Sequence, residues 1–118
     1  MQRNPLTFPV TSLIIQETDM RLGRVTGTVV STVKDDGLKG YKLLLVDEAD
    51  VRGEGLGRYI VAVDTVDAGV GDVVLTVGGS SARLTRLTRD RPVDAAIVAV
   101  VETLEVEGEI TYRKAGAP

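Results

Sequence analysis

Apolar and polar positions alternate from Arg21 onward. In RLGRVTGTVVSTV, residues 21–33, an extended chain puts Val25, Val29 and Val33 on one face with Gly27 and Ser31. Arg24, Thr26, Thr28 and Thr32 fall on the other face, so a half-buried strand is predicted. Asp35-Asp36-Gly37 and Gly40 then supply turn chemistry. Tyr41 to Val46 predicts a second strand, apolar on both faces around Leu44. In DEADVRGEGLG, the alternating Gly53, Gly55 and Gly57 predict a mobile hairpin loop. Arg58 to Asp64 predicts a third strand, DAGVGD at 67–72 a Gly-rich corner, and Val73 to Val77 a fourth strand.

Beyond Val77 comes Gly78-Gly79-Ser80-Ser81-Ala82-Arg83, followed by LTRLTRDRP. Ser80 or Ser81 can cap one or two helical turns, which Pro92 stops. The longest apolar run, Ala95 to Val101, continues through Glu102 to Val106 and calls for burial on both faces, in the barrel and against something else. Glu107-Gly108 is a turn into a last short strand, Glu109 to Arg113. The fold class read from this pattern is all-β: a small five- to six-stranded OB-like barrel with one short helix.

Composition narrows the chemistry. The chain has 118 residues and no His, Cys or Trp, with one Phe and three Tyr, so Val, Leu, Ile and Ala must build its core. Such side chains suit a narrow barrel. Lacking His and Cys, the chain has no N/S zinc site, no Cys nucleophile and no His-based triad. Most enzyme classes are thereby disfavoured, and we expect no metal and no cofactor. The formal net charge of −3 argues against a nucleic-acid footprint. No stretch reaches the roughly 20 apolar residues of a membrane span, and no signal peptide is evident, which reads as cytosolic.

Residues 1–19 stand apart as an N-terminal extension before the domain at 20–118. Either Met20 is the natural start and the extension is dispensable, or Leu6, Phe8, Val10, Leu13, Ile14 and Ile15 dock it as an extra strand. Docking is the favoured expectation.

Three constellations have two readings each. Gly78 to Arg83 could cradle an anion on successive backbone N–H groups, with Arg83 pairing to it. Neither the P-loop nor the dinucleotide fingerprint is met, however, and a tight turn whose glycines allow close approach to a neighbouring strand or subunit is the favoured reading. Arg83, Arg86, Arg89 and Arg91 are either a contact surface for a partner subunit or phosphates, or a solvated face near Asp90 and Asp94. Asp64, Asp67 and Asp72 suggest paired carboxylates or a cation site, but the calcium-loop spacing fails and turn service is the simpler role. An OB-like barrel also admits a small-ligand or single-stranded nucleic-acid binding module. The scattered Phe8, Tyr41, Tyr59 and Tyr112 give no stacking platform for it.

Several blocks in fixed order resemble one family. They are Gly23-Arg24-Val25-Thr26-Gly27 with Thr32-Val33, then Gly40-Tyr41-Lys42-Leu43-Leu44-Leu45-Val46, then Ala62-Val63-Asp64 with Ala68-Gly69-Val70-Gly71-Asp72. Gly79-Ser80-Ser81-Ala82-Arg83 and Pro92-Val93-Asp94 follow. Together they resemble the pentameric vertex proteins of bacterial microcompartment shells, the EutN/CcmL family, from Met20 to about Lys114. The segment before Met20 departs from that pattern. The resemblance implies a non-enzymatic barrel that assembles as a ring, a homopentamer capping the vertices of a polyhedral shell around encapsulated enzymes. Hexameric and pseudohexameric shell proteins are then its other partners, with no nucleic acid and no membrane, and the shell lies in the bacterial cytoplasm. Candidates for the subunit boundary and five-fold axis are Gly78, Gly79, Ser80, Ser81, Ala82, Arg83, Arg86, Pro92 and Asp94.

Overall fold

A computed structural model describes residues 20–32, 40–78 and 95–116. Among these, seven strands form: β1 (Met20–Thr28), β2 (Lys42–Ala49), β3 (Gly55–Asp64), β4 (Val73–Gly78), β5 (Ala95–Val100), β6 (Thr103–Val106) and β7 (Glu109–Arg113). The first five close a barrel in the order β1-β2-β3-β5-β4, with β4 pairing back onto β1. All its pairs are antiparallel except β3 with β5. β6 and β7 make a separate two-stranded hairpin. The five-stranded barrel agrees with the expected fold class. The expected short helix falls on residues outside those described, as do the extension at 1–19 and the turn at 35–37.

Alternation sets the inside of the barrel. Val25, Leu44, Val46, Ala62, Ala68, Val74 and Ile97 form its core, with Val66, Ala95 and Val100 packed against them. With so few rings available, close packing comes from small residues at tight points. Gly23 is buried beside Val46, and any Cβ at that position would overlap the valine's Cγ1. The opening glycine of the Gly-Arg-Val-Thr-Gly block therefore makes room for Val46 in the interior. A second cluster lies on the outer face: Val63, Val77 and Ala96, joined by Tyr41, Leu43 and Val98.

Three expectations are corrected. First, β1 ends at Thr28, and a β-bulge falls between Val25 and Gly27. The extra residue inverts the alternation, so Thr28 lies opposite core-facing Leu44 and Val29 lies beside outward-facing Leu43, to which its N–H donates at 3.0 Å. Second, the glycine-rich segment after β2 is a tied turn, not a slack loop. Asp50 Oδ1 accepts the N–H groups of Arg52 and Glu54 at 2.8 and 3.1 Å, and Gly55 and Gly57 already belong to β3. Third, the long apolar run does not make one strand. Ile97 and Ala96 are fully buried on opposite faces, as expected, but the chain leaves the barrel after Val100 and restarts as β6. Glu107 and Gly108 adopt φ of 51° and 86°, the two left-handed residues of a tight hairpin turn.

Candidate functional site

The described residues place one of the nine sequence-predicted site positions. Gly78 ends β4 and pairs with Ala95 at the start of β5, so the chain leaves and re-enters the barrel at one end. Gly79, Ser80, Ser81, Ala82, Arg83, Arg86, Pro92 and Asp94 lie outside the described residues.

Around Gly78 and Ala95 the barrel end opens into a cleft of about 270 Å³. Leu22, Val46, Ile60 and Val77 supply apolar walls. At its rim Glu48 receives two arginines: Arg21 Nη1 at 3.0 Å and Arg58 Nη1 at 3.4 Å. The carboxylate is thus shared between β1 and β3 and locks the two strands flanking β2.

The acidic trio at 64, 67 and 72 turns out to build corners. Asp64 is buried, and its two oxygens accept the N–H groups of Val66 and Ala68 at 3.0 and 2.9 Å. Asp72 Oδ2 accepts Gly69 N–H at 2.9 Å. Asp67 adopts φ 58° and pairs with Lys42 Nζ at 3.3 Å. Lys42 also lies 3.2 Å from Asp64 Oδ2 and donates to Ala68 O at 2.9 Å. The hydrogen bond to Asp64 is the main cause holding Lys42 above its ordinary pKa. Desolvation opposes it, and Asp67 adds a smaller push upward. The turn-serving role of these aspartates is the one the geometry supports.

Asp47 was missed at the level of sequence. It is buried, and its Oδ1 accepts the N–H groups of Gly57 and Arg58 at 2.8 and 2.9 Å. Those donors are 10 and 11 residues away, beyond any local capping pattern.

Surface exposure points to contact rather than catalysis. Seven successive residues, Gly55 to Val61, are exposed in β3, including Leu56, Tyr59, Ile60 and Val61. β5 pairs with β3 only at Val63 and Asp64, so among the described strands nothing lies along the other edge of Gly55–Ala62. The hairpin is likewise exposed from Glu105 to Ile110. Its base is fixed: Thr111 Oγ1 donates to Val51 O, and the Tyr112 ring packs against Gly53.

Comparison with known proteins agrees with this picture. Residues 20–102 match the family model described as ethanolamine utilisation protein EutN/carboxysome. The chain is 47% identical over 95 residues to the carboxysome shell vertex protein CcmL of Synechococcus elongatus, covering 80% of this chain and 96% of that protein. It is 40% identical over 98 residues to the bacterial microcompartment shell vertex protein EutN of Salmonella typhimurium, covering 83% and 99%. Among solved structures, the GrpN pentameric microcompartment shell protein from Rhodospirillum rubrum superposes with a TM-score of 0.66 at 44% identity, covering 73% of this chain and 98% of that one.

Proposed function

We infer the function from one premise: the chain belongs to the EutN/CcmL family. It is a structural protein, not an enzyme: a homopentameric vertex component of a bacterial microcompartment shell. The observation that carries this reading is the near-complete match to shell vertex proteins, which spans 95% or more of their length. The binding-module reading is not favoured, because the matched relatives are shell components.

Within that function, the pentamer closes a five-fold corner among hexameric and pseudohexameric shell proteins in the bacterial cytoplasm. A ring of identical copies requires a heterologous interface, one patch meeting a different patch on the next copy. Gly78, Gly79, Ser80, Ser81, Ala82, Arg83, Arg86, Pro92 and Asp94 are the proposed boundary and axis residues, supported by the departure and return of their segment at one barrel end. Residues 1–19 dock onto the barrel or a neighbouring subunit, as their apolar side chains favour.

Native mass spectrometry tests the reading. Five copies of 12.6 kDa give a species near 63 kDa, and a stable monomer under assembly conditions would overturn it. Arg83→Ala and Arg86→Ala should weaken the ring while leaving the barrel folded. Truncation to Met20 should lower stability or assembly, and an unchanged protein would remove the docking role.

A further inference from the structure

The cleft at the barrel mouth is the barrel interior carried on to its end. Val25, Val46 and Ala62 face the core, so alternation turns Arg21 and Gly23, Glu48, and Arg58 and Ile60 to the same inward side. Ile60 faces inward from β3 and is still 42% exposed, whereas Ala62, two residues deeper, is 1% exposed. An inward-facing isoleucine left within reach of water is stabilised by any apolar side chain laid across it. Among the residues lining the cleft only Arg21, Glu48 and Arg58 are charged. Two guanidinium groups against one carboxylate leave the rim one positive charge in excess.

Two segments outside the described residues open onto this mouth. Residues 79–94 leave from Gly78 and return at Ala95, and residues 1–19 run into β1 at Met20, which pairs with Val77. Residues 33–39 join β1 to β2 at the opposite end, where Thr28 pairs with Leu44 and Lys42 with Asp64. The two segments at the mouth differ in sign. Residues 79–94 hold four arginines and two aspartates, 4 − 2 = +2, which a cationic rim repels. Residues 11–19, TSLIIQETD, hold Leu13, Ile14 and Ile15 followed by Glu17 and Asp19, a net −2. Apolar side chains next to two carboxylates match an apolar cleft with a cationic rim. Length agrees with this choice. A reversal at Gln16–Asp19 is enough to bring the apolar run back, since four residues reach about 13 Å and the cleft begins at Arg21.

We propose that residues 11–19 plug the mouth of their own barrel. Leu13, Ile14 and Ile15 supply the apolar cover for Ile60, and Glu17 and Asp19 answer Arg21 and Arg58. This rests on the docking reading of residues 1–19 and names the surface that takes them. The family model begins at residue 20, so the plug is an addition to the shared barrel.

Disulfide trapping in the full chain tests it. The chain has no cysteine, so each introduced pair stands alone. Ile60→Cys is combined in turn with Leu13→Cys, Ile14→Cys and Ile15→Cys, oxidised mildly, and followed by denaturing electrophoresis without reductant and by peptide mapping. A disulfide needs Cα atoms within about 7 Å, so a link reports proximity. Expected is an intrachain link in at least one pair, at the 12.6 kDa mass of a single chain. In that pair, Glu17→Lys combined with Asp19→Lys should lower the linked fraction severalfold. An unchanged fraction overturns the rim pairing on which the choice of segment rests.

A linked dimer that the single-cysteine variants do not form puts the extension on a neighbouring subunit, which overturns the proposal and leaves the docking reading standing. Stronger linkage of Ile60→Cys to Leu84→Cys or Leu87→Cys gives the mouth to residues 79–94 and likewise overturns it. No link from any extension cysteine also overturns it. If truncation to Met20 then leaves stability and assembly unchanged, the docking reading falls as well. Should Ile60→Cys fail to fold, Ala95→Cys on the β5 side of the mouth takes its place.

Discussion

The carboxylate of Asp47 fills the space that a side chain on Gly55 would need: a Cβ there would collide with Oδ2. The same group accepts the Gly57 and Arg58 N–H groups through Oδ1 and so fixes the start of β3 where its register with β2 shifts. Two backbone donors at the start of β3 depend on one buried acid. Asp47→Ala should therefore lower stability by about 3 kcal/mol, and Asp47→Asn, which keeps one acceptor oxygen, by about half as much. Gly55→Ala should resemble Asp47→Ala, because the methyl group expels the carboxylate. Urea denaturation of the three variants checks the ranking. Gly55→Ala at wild-type stability would contradict it.

Gly57 makes the contrasting case. It has φ 83° but nothing within 4 Å of its Cβ position, so its cost is conformational and not steric. Gly57→Ala should cost about 1 kcal/mol, and Gly57→Asn clearly less, since Asn visits the left-handed region more readily. Equal losses for Ala and Asn in thermal denaturation would refute that assignment.

These residues also mark where sequence is legible and where it is not. Alternation placed Val25 on the buried face because period two is a local property of an extended chain, and the doubly apolar run around Leu44 marked a buried strand without saying which of its faces forms the core. Glu107-Gly108 was readable because a tight hairpin turn demands residues that accept positive φ. The bulge after Val25 was not readable, since it is set by pairing with a strand about 20 residues away, and it moved Val29 off the core face. The long apolar run from Ala95 likewise satisfies both a strand in a barrel and a departure into a hairpin, and its pairing with β3 and β4 runs only as far as Val100. Of the candidate assembly residues, Gly78 is seen at the barrel end. The contact-prone stretch of β3 was read simply as a strand, because exposure depends on how far β5 extends alongside it.

Gly53 joins the hairpin to the barrel. Its φ is 80°, and a Cβ would stand 2.9 Å from both Tyr112 Cδ1 and Val73 Cγ2. Gly53→Ala combines backbone strain with displacement of the Tyr112 ring, so it should cost about 2–3 kcal/mol, more than Gly57→Ala. Its fluorescence should also report a change at Tyr112, which a purely local effect on the turn would not produce. Comparing Gly53→Ala with Gly53→Ala/Tyr112→Leu separates the two causes: relief in the double variant identifies the ring contact.

The aliphatic core is tested by truncation. Leu44 and Ile97 are each about 1% exposed or less and are the two largest fully buried side chains among the described residues. Leu44→Ala should cost about 3–4 kcal/mol, and Ile97→Val about 1 kcal/mol, because a barrel with closed hydrogen-bonding collapses little around a cavity. Denaturant midpoints at constant slope would show this, and a Leu44→Ala loss below that of Ile97→Val would contradict the packing described.

Lys42 sets a pH limit. Its ammonium is held by Asp64 first and Asp67 second, so its pKa lies above the ordinary 10.5 despite the opposing pull of desolvation. A base with a raised pKa binds its proton more tightly when folded. The stabilisation is therefore complete below the unfolded value and is lost as pH rises through the folded one. The difference in thermal midpoint between wild type and Lys42→Met should stay constant from about pH 6 to 9 and shrink only in strongly alkaline solution. Moderate salt should reduce it as well, because Lys42 and Asp67 are exposed to solvent. A gap that narrows below neutral pH, or persists unchanged well above the ordinary lysine range, would show that the ion pair is not its source.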